Sequence, residues 1–248
     1  MIPIKTCQEI DKMREGGIIL AGIMDLLERM VKPNVATQEL DRAALAAMSE
    51  KKARSAFKGY HGYPANICVS VNEEVVHGIP GKRRLIEGDI VSIDIGIDFG
   101  GFYTDMAKTF PVGKISAEKT RLIEVARASL ETSIVKVRPG NRLSDVSSSV
   151  QTYVESNGFS VVRDFVGHGV GRELHEEPQI PNFGIPGKGP VLKEGMVLAI
   201  EPMINAGSWE VEILQDGWTA IAVDRRPSAH FEHTVAILKG EPVILTKK

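Results

Sequence analysis

The feature that most constrains this 248-residue chain is a faded internal duplication. A repeat fixes the architecture before any single element is assigned, because each copy must fold into the same unit. Val31-Lys32-Pro33-Asn34 follows one amphipathic segment, Gln8 to Met30, and precedes another, Thr37 to Lys52. Val137-Arg138-Pro139-Gly140-Asn141 lies in the same way between Ala117–Lys136 and Leu143–Ser156. Both links carry a proline that ends a helix, and Thr37 or Ser144 is placed to cap the next one. Farther on, Ile86-Glu87-Gly88-Asp89-Ile90-Val91-Ser92-Ile93-Asp94 resembles Lys193-Glu194-Gly195-Met196-Val197-Leu198-Ala199-Ile200-Glu201. Each is a Glu-Gly turn followed by an apolar strand that ends in a carboxylate. Asp105-Met106-Ala107-Lys108-Thr109-Phe110 and Glu232-His233-Thr234-Val235-Ala236-Ile237 match more loosely.

The links are offset by 106 residues (31 to 137) and the strand segments by 107 (86 to 193), so the halves run nearly in register. The last pair is offset by 127 (105 to 232), which places about twenty extra residues in the second half. Each half reads helix, helix, strands, an α+β pattern. Chance recurrence of proline and glycine punctuation is the competing explanation. Taken as a duplication, the pattern predicts one domain over 1–248, with copies at about 8–110 and 117–238. Two such halves facing each other give a pseudo-twofold architecture around one continuous sheet.

Composition removes several function classes. Hydrophobic residues are 43% and charged residues 25%, as in ordinary globular proteins. Thirty basic against 32 acidic residues leave a net charge of −2, which provides no electrostatic footprint for nucleic acid or anionic membrane. Cys7 and Cys68 are too few for a disulfide framework and suit a reducing, cytoplasmic setting. The longest early apolar run, Gly16 to Met24, is too short to span a bilayer and lacks the flanks of a signal peptide.

Within this frame the acidic residues stand out. Ile90–Ile97 and Phe102–Phe110 are β-rich runs joined by Asp98-Phe99-Gly100-Gly101, good hairpin chemistry. If Ile97 pairs with Phe102, partner numbers sum to 199 and Asp94 lies directly opposite Asp105. Two opposed aspartates demand a cation or a raised pKa. A slipped register would instead leave one of them in solvent. The duplication adds Glu201 and Glu232 at the equivalent places, so symmetry brings four carboxylates towards one centre. One divalent ion would leave half of that charge uncompensated; two would neutralise it. Oxygen ligands favour ions of the manganese or magnesium type, and an imidazole shifts the preference towards manganese, iron or cobalt. His77, His168 and His175 lie in turn-rich segments that flank these strands. The combination points to a dinuclear hydrolase.

Seven segments carry a closer resemblance: Tyr60-His61-Gly62-Tyr63-Pro64; Asn72-Glu73 with Val76-His77-Gly78-Ile79-Pro80; Gly88-Asp89-Ile90-Val91 leading to Asp94; Gly167-His168-Gly169-Val170-Gly171; His175-Glu176-Glu177-Pro178; Glu201-Pro202-Met203; and Glu232-His233-Thr234. In this order and spacing, from about Ile10 to Leu238, they resemble the type I methionine aminopeptidases. The resemblance implies the duplicated pita-bread fold and hydrolysis of an N-terminal methionine ahead of a small second residue. It implies Asp94, Asp105, His168, Glu201 and Glu232 as ligands of two divalent ions (cobalt, manganese, iron or zinc). Asp105 and Glu232 would bridge the ions, Asp94 would chelate one, and His168 and Glu201 would complete the other's shell. His77 and His175 would face the substrate without binding metal, with Glu201 as proton shuttle. Phe57, Tyr60, His61, Tyr63, Cys68, Leu174 and Trp218 would form the methionine pocket. Phe57 and Leu174 depart from the residues most frequent in relatives, and Cys68 also reads as plain core.

The type II branch carries a long insertion between the positions of His168 and Glu201, whereas only 32 residues intervene here. The resemblance is to the short bacterial form, which implies a chain without an N-terminal zinc-binding extension. The implied partners are nascent polypeptide N-termini, near the ribosome, with the enzyme a monomer. A prolidase or aminopeptidase P shares the fold and metal set but usually adds a large N-terminal domain. A ligand-free binding protein on the same fold is opposed by the intact ligand set.

Overall fold

The computed structural model describes residues 1–248. Four long helices form where the amphipathic segments lie: α1 Cys7–Met30, α2 Thr37–Glu50, α3 Ala117–Ile134 and α4 Leu143–Ser156. Their caps differ from those expected. Thr6 caps α1 by accepting from Glu9 N at 3.3 Å, while the Glu9 carboxylate accepts from Thr6 N at 2.9 Å, a capping box. Ser116 caps α3 in the simpler way. Thr37 is the first residue inside α2, and its hydroxyl instead accepts from Gly81 N at 2.8 Å. Ser144 lies inside α4 and is tied to the Lys188 backbone, so Arg142 becomes the cap residue. In both cases a distant loop claims the hydroxyl that local geometry would have used.

Each helix pair covers its own apolar cluster. Leu20, Met24, Leu27, Leu40 and Met48 pack on Val91, Ile93, Ile95 and Ile97. Leu122, Leu130, Val146 and Val150 pack on Leu198, Ile200, Val235 and Ile237. Odd-numbered residues of the strand Ile90–Phe99 therefore face the helices. The pleat turns Ser92, Asp94 and Gly96 to the opposite face. Asp94 is on the inner side because its neighbours are needed on the outer one.

The hairpin itself corrects the predicted register. The strand runs through to Phe99 and pairs with Phe102–Pro111 so that Phe99 faces Phe102, Asp94 faces Ala107 and Gly96 faces Asp105. Partner numbers sum to 201, not 199. Gly100 and Gly101 alone make the turn, at φ 63° and 82°, the two positive values that a tight hairpin turn with the right twist requires. A shift of two residues preserves the face, so Asp94 and Asp105 become diagonal neighbours on one side of the sheet. Gly96 leaves room there: a Cβ would meet Asp105 Oδ1 at 3.2 Å and the Phe57 ring at 2.8 Å.

The expected continuous sheet is replaced by four smaller ones. The largest has five strands, in the order Glu241–Ile244, His233–Leu238, Val197–Ile200, Gly167–Gly169 and Glu176–Ile180. It meets the hairpin sheet of the first half along a seam. Ala107 and Glu232 exchange backbone hydrogen bonds of 3.4 and 2.9 Å. On either side of this rung, threonine hydroxyls stand in for backbone groups. Thr234 Oγ1 accepts from Asp105 N at 2.9 Å and donates to Asp105 O at 2.8 Å. Thr109 Oγ1 does the same with the backbone of His230, at 2.8 and 2.9 Å. The strand that carries Asp105 is thereby tied to the segment that carries Glu232. No helix is long and apolar enough to cross a membrane.

Thr234 is fully buried. Thr234→Val would leave both backbone groups of Asp105 without a partner, at roughly 1–3 kcal/mol each. We expect denaturant unfolding to show a loss of about 2–6 kcal/mol for the two groups together, against less than about 0.5 kcal/mol for Thr152→Val on the exposed side of α4.

Candidate metal centre

At the seam, ligand atoms of Asp105, His168 and Glu232 lie within 4.8 Å of one another. Their positions come from three segments far apart in the chain. Asp105 projects from the hairpin, Glu232 from the segment bonded to Ala107, and His168 from the short strand Gly167–Gly169, opposite Ala199. Glycine at 167 and 169 lets that strand approach closely, since a Cβ at either position would collide with the carbonyl of Ala199 or Glu177. Asp94 stands diagonal to Asp105. Glu201 follows the strand Val197–Ile200, with Oε1 3.5 Å from His168 Nε2.

The electrostatics of this group are unfavourable without a cation. Burial, then the neighbouring carboxylates, push Asp94, Glu201 and Glu232 well above the ordinary carboxylate range. Burial lifts Asp105 to about 7. Asp94 Oδ1, Asp105 Oδ1 and Glu232 Oε1 are buried and have no hydrogen-bond partner. Buried carboxylate oxygens left unpaired are costly, and a hard divalent cation is the partner that fits an oxygen-rich donor set with one imidazole. Burial, with His175 nearby, depresses His168 to about 3, which keeps its imidazole neutral and ready to ligate.

The other residues singled out from the sequence surround the same space. Every one of them lines a single cavity of about 820 Å3 that opens from this centre. Phe57, Tyr63, Cys68 and Leu174 form one apolar cluster, with Tyr60 and Trp218 packed against it. The rings of Tyr63 and Trp218 meet edge to face at 5.1 Å. Burial raises the Cys68 thiol well above its usual range, so it behaves as a small apolar group. His61 stands at the rim with its ring against Tyr60 at 4.4 Å. His175 contacts the His168 ring edge-on at 4.2 Å, and the Tyr60 hydroxyl lies 2.8 Å from its Nδ1. With Tyr60 donating, Nδ1 accepts and Nε2–H is left as a donor. His77 packs on Phe165, and burial, with His175 nearby, lowers its pKa to about 4.

Sequence reasoning missed two groups. His230 lines the cavity, its buried Nε2 has no partner, and it lies 3.8 Å from the second oxygen of Glu201. Its spacing of two residues from Glu232 in a β-rich stretch was the available signal. Phe165, which supports His77, had none.

Residues 11–239 match the metallopeptidase family M24. A methionine aminopeptidase of Clostridium perfringens is 53% identical over 99% of both chains, and methionine aminopeptidase 1 of Bacillus subtilis is 53% identical over 100% of both. The crystal structure of a methionine aminopeptidase from Thermotoga maritima superposes with a TM-score of 0.98 at 48% identity, with full coverage of each chain. A prolidase from Pyrococcus furiosus shares the fold, at a TM-score of 0.80 and 22% identity, but this chain covers only 65% of it. The duplicated fold and its buried acidic centre thus define a metallopeptidase, and the chain belongs to family M24. Its full-length relatives place it in the methionine aminopeptidase branch of that family.

Asp105→Asn tests the electrostatics. In metal-free protein, a carboxyl whose folded pKa is raised adds stability below its unfolded value of 3.8 and loses it as pH rises through about 7. The asparagine does not titrate, so the variant's stability relative to the wild type should climb across that window. Added divalent metal should reverse the order, because an amide is a poorer partner than a carboxylate for a hard cation. Thermal unfolding at about pH 4 and pH 7, with and without metal, checks both signs.

Proposed function

We propose that this chain removes the N-terminal methionine from polypeptides whose second residue is small, by hydrolysis at a centre that holds two divalent ions. The observation that carries this reading is the juxtaposition of partnerless buried carboxylates with an apolar, sulfur- and aromatic-lined pocket in one cavity. Asp105, His168 and Glu232, whose ligand atoms lie within 4.8 Å of one another, would hold the ions together with Asp94 and Glu201. Cobalt, manganese, iron and zinc all suit this mixed oxygen and nitrogen set. When bound, such ions lower the pKa of a coordinated water and polarise a carbonyl oxygen.

The chain's own residues do the rest. Tyr63, Cys68 and Trp218, edged by Phe57 and Leu174, seat the thioether side chain by apolar contact. Glu201, at the edge of the centre with Oε1 3.5 Å from His168 Nε2, takes the proton of the attacking water and passes it to the leaving amine. His175, held at Nδ1 by Tyr60, directs Nε2–H at the developing oxyanion. His77, kept neutral by burial, holds the scissile nitrogen. The physiological substrates are nascent chains in the cytoplasm, met near the ribosome by a monomeric enzyme.

His175→Ala should keep its metal and lose about 10²–10³ in turnover, the usual effect of one lost oxyanion donor. His168→Ala should lose metal first. Metal titration alongside kinetics separates the two.

Residue two of the substrate must fit between His77 and His175. Met-Ala, Met-Gly and Met-Ser peptides should be cleaved well, and Met-Leu and Met-Lys poorly, by ten- to hundredfold or more at roughly 1–3 kcal/mol per misfit. Equal rates for Met-Ala and Met-Leu would contradict this account of the second-residue site.

A further inference from the structure

His175 is exposed, and beyond Tyr60 and the His168 ring its position depends on the loop 171–176. That loop is closed by one residue. Glu176 Oε1 accepts from Arg172 N at 2.7 Å and from Glu173 N at 3.3 Å, which folds the chain around Leu174 and His175. The other oxygen of Glu176 is taken by Lys5, and both side chains are less than a tenth exposed. Lys5 is itself anchored, its backbone N–H donating to Gly195 O at 2.8 Å. The fit is tight: any Cβ on Gly171 would run into Lys5 Cε and the Glu176 carboxylate. A second tie lies alongside, where Arg172 Nη2 donates to Glu9 Oε1 at 2.8 Å in the first turn of α1. Met1 and Pro3 line the same cavity as His175.

A buried lysine is an expensive way to fill space. Breaking such a pair costs several kcal/mol, yet an apolar pair of similar volume is often as stable or more so. What an ion pair adds is direction, because it fixes where one carboxylate oxygen sits and hence how the loop closes. We infer that Lys5 is a positioning residue for His175: it holds Glu176, Glu176 closes the 171–176 loop, and the N-terminal segment is therefore a working part of the substrate cleft. This rests on the assignment of His175 to the oxyanion given above.

A double-mutant cycle in the metal-loaded enzyme separates positioning from plain stability. Lys5→Met should lower kcat on a Met-Ala-Ser peptide by about tenfold or more, with KM changed by less than about threefold and bound metal unchanged, since small misplacements of a catalytic group are costly. In a His175→Ala background the same substitution should change kcat by less than about twofold, because the group it positions is gone. If Lys5→Met does not fold, Lys5→Met/Glu176→Gln removes both charges, leaves an oxygen to close the loop, and is carried through the same cycle. An equal loss in both backgrounds would overturn the inference, as would a wild-type kcat in the lysine variant. Should His175→Ala itself retain full turnover, the oxyanion assignment falls and the inference falls with it. A slow His175→Ala beside a fully active lysine variant would remove the inference alone.

Discussion

The structure turns on the seam between its two halves, where Ala107 and Glu232 form one backbone rung between two threonine rungs. Each half has its own helix pair and its own apolar cluster, and neither contains a complete site. The seam brings Asp105 and Glu232 together and holds both buried at the inner end of the cavity. Replacing backbone partners by the hydroxyls of Thr109 and Thr234 satisfies the strand's polar groups and lets the two sheets meet. Without that arrangement the acidic residues would be ordinary strand-end carboxylates.

The cost of the seam is electrostatic, and it explains the chemistry. Four carboxyl groups in one low-dielectric space resist ionisation, and the nearby histidines resist protonation. Such a set is poorly satisfied alone and well satisfied by divalent cations. The apolar wall is separate from this problem. Phe57, Tyr63 and Cys68 come from the segment that leads into and forms the neighbouring strand, and Cys68 sits opposite Asp94 in the ladder. The proposed metal ligand Asp94 and the proposed side-chain pocket are therefore adjacent because two strands are paired.

Much of this was legible in the sequence, for a physical reason. Duplication, helix periodicity and strand-end carboxylates are local patterns, and the helices fall within two residues of their expected bounds. The hairpin register differs from the expected one by two because Asp98 and Phe99 look like loop residues in the sequence. They extend the strand instead, Asp98 bonding Arg54 across it. The inner face of Asp94 and Asp105 survived the error because side-chain direction has a period of two. The helix caps failed for the opposite reason, since Gly81 and Lys188 reach Thr37 and Ser144 from 44 residues away. Lys5 and Glu176, separated by 171 residues, leave no local trace at all.

The central claim is that the acidic seam works only as a metal centre. The direct measurement is hydrolysis of a Met-Ala-Ser peptide by chelator-stripped protein as one divalent ion, manganese or cobalt, is added back, with bound metal followed in the same samples. The account predicts no turnover without metal and a native fold throughout, with activity rising as ions bind and levelling off by two per chain. Full turnover by the metal-free protein, or saturating metal that leaves it inert, would contradict it.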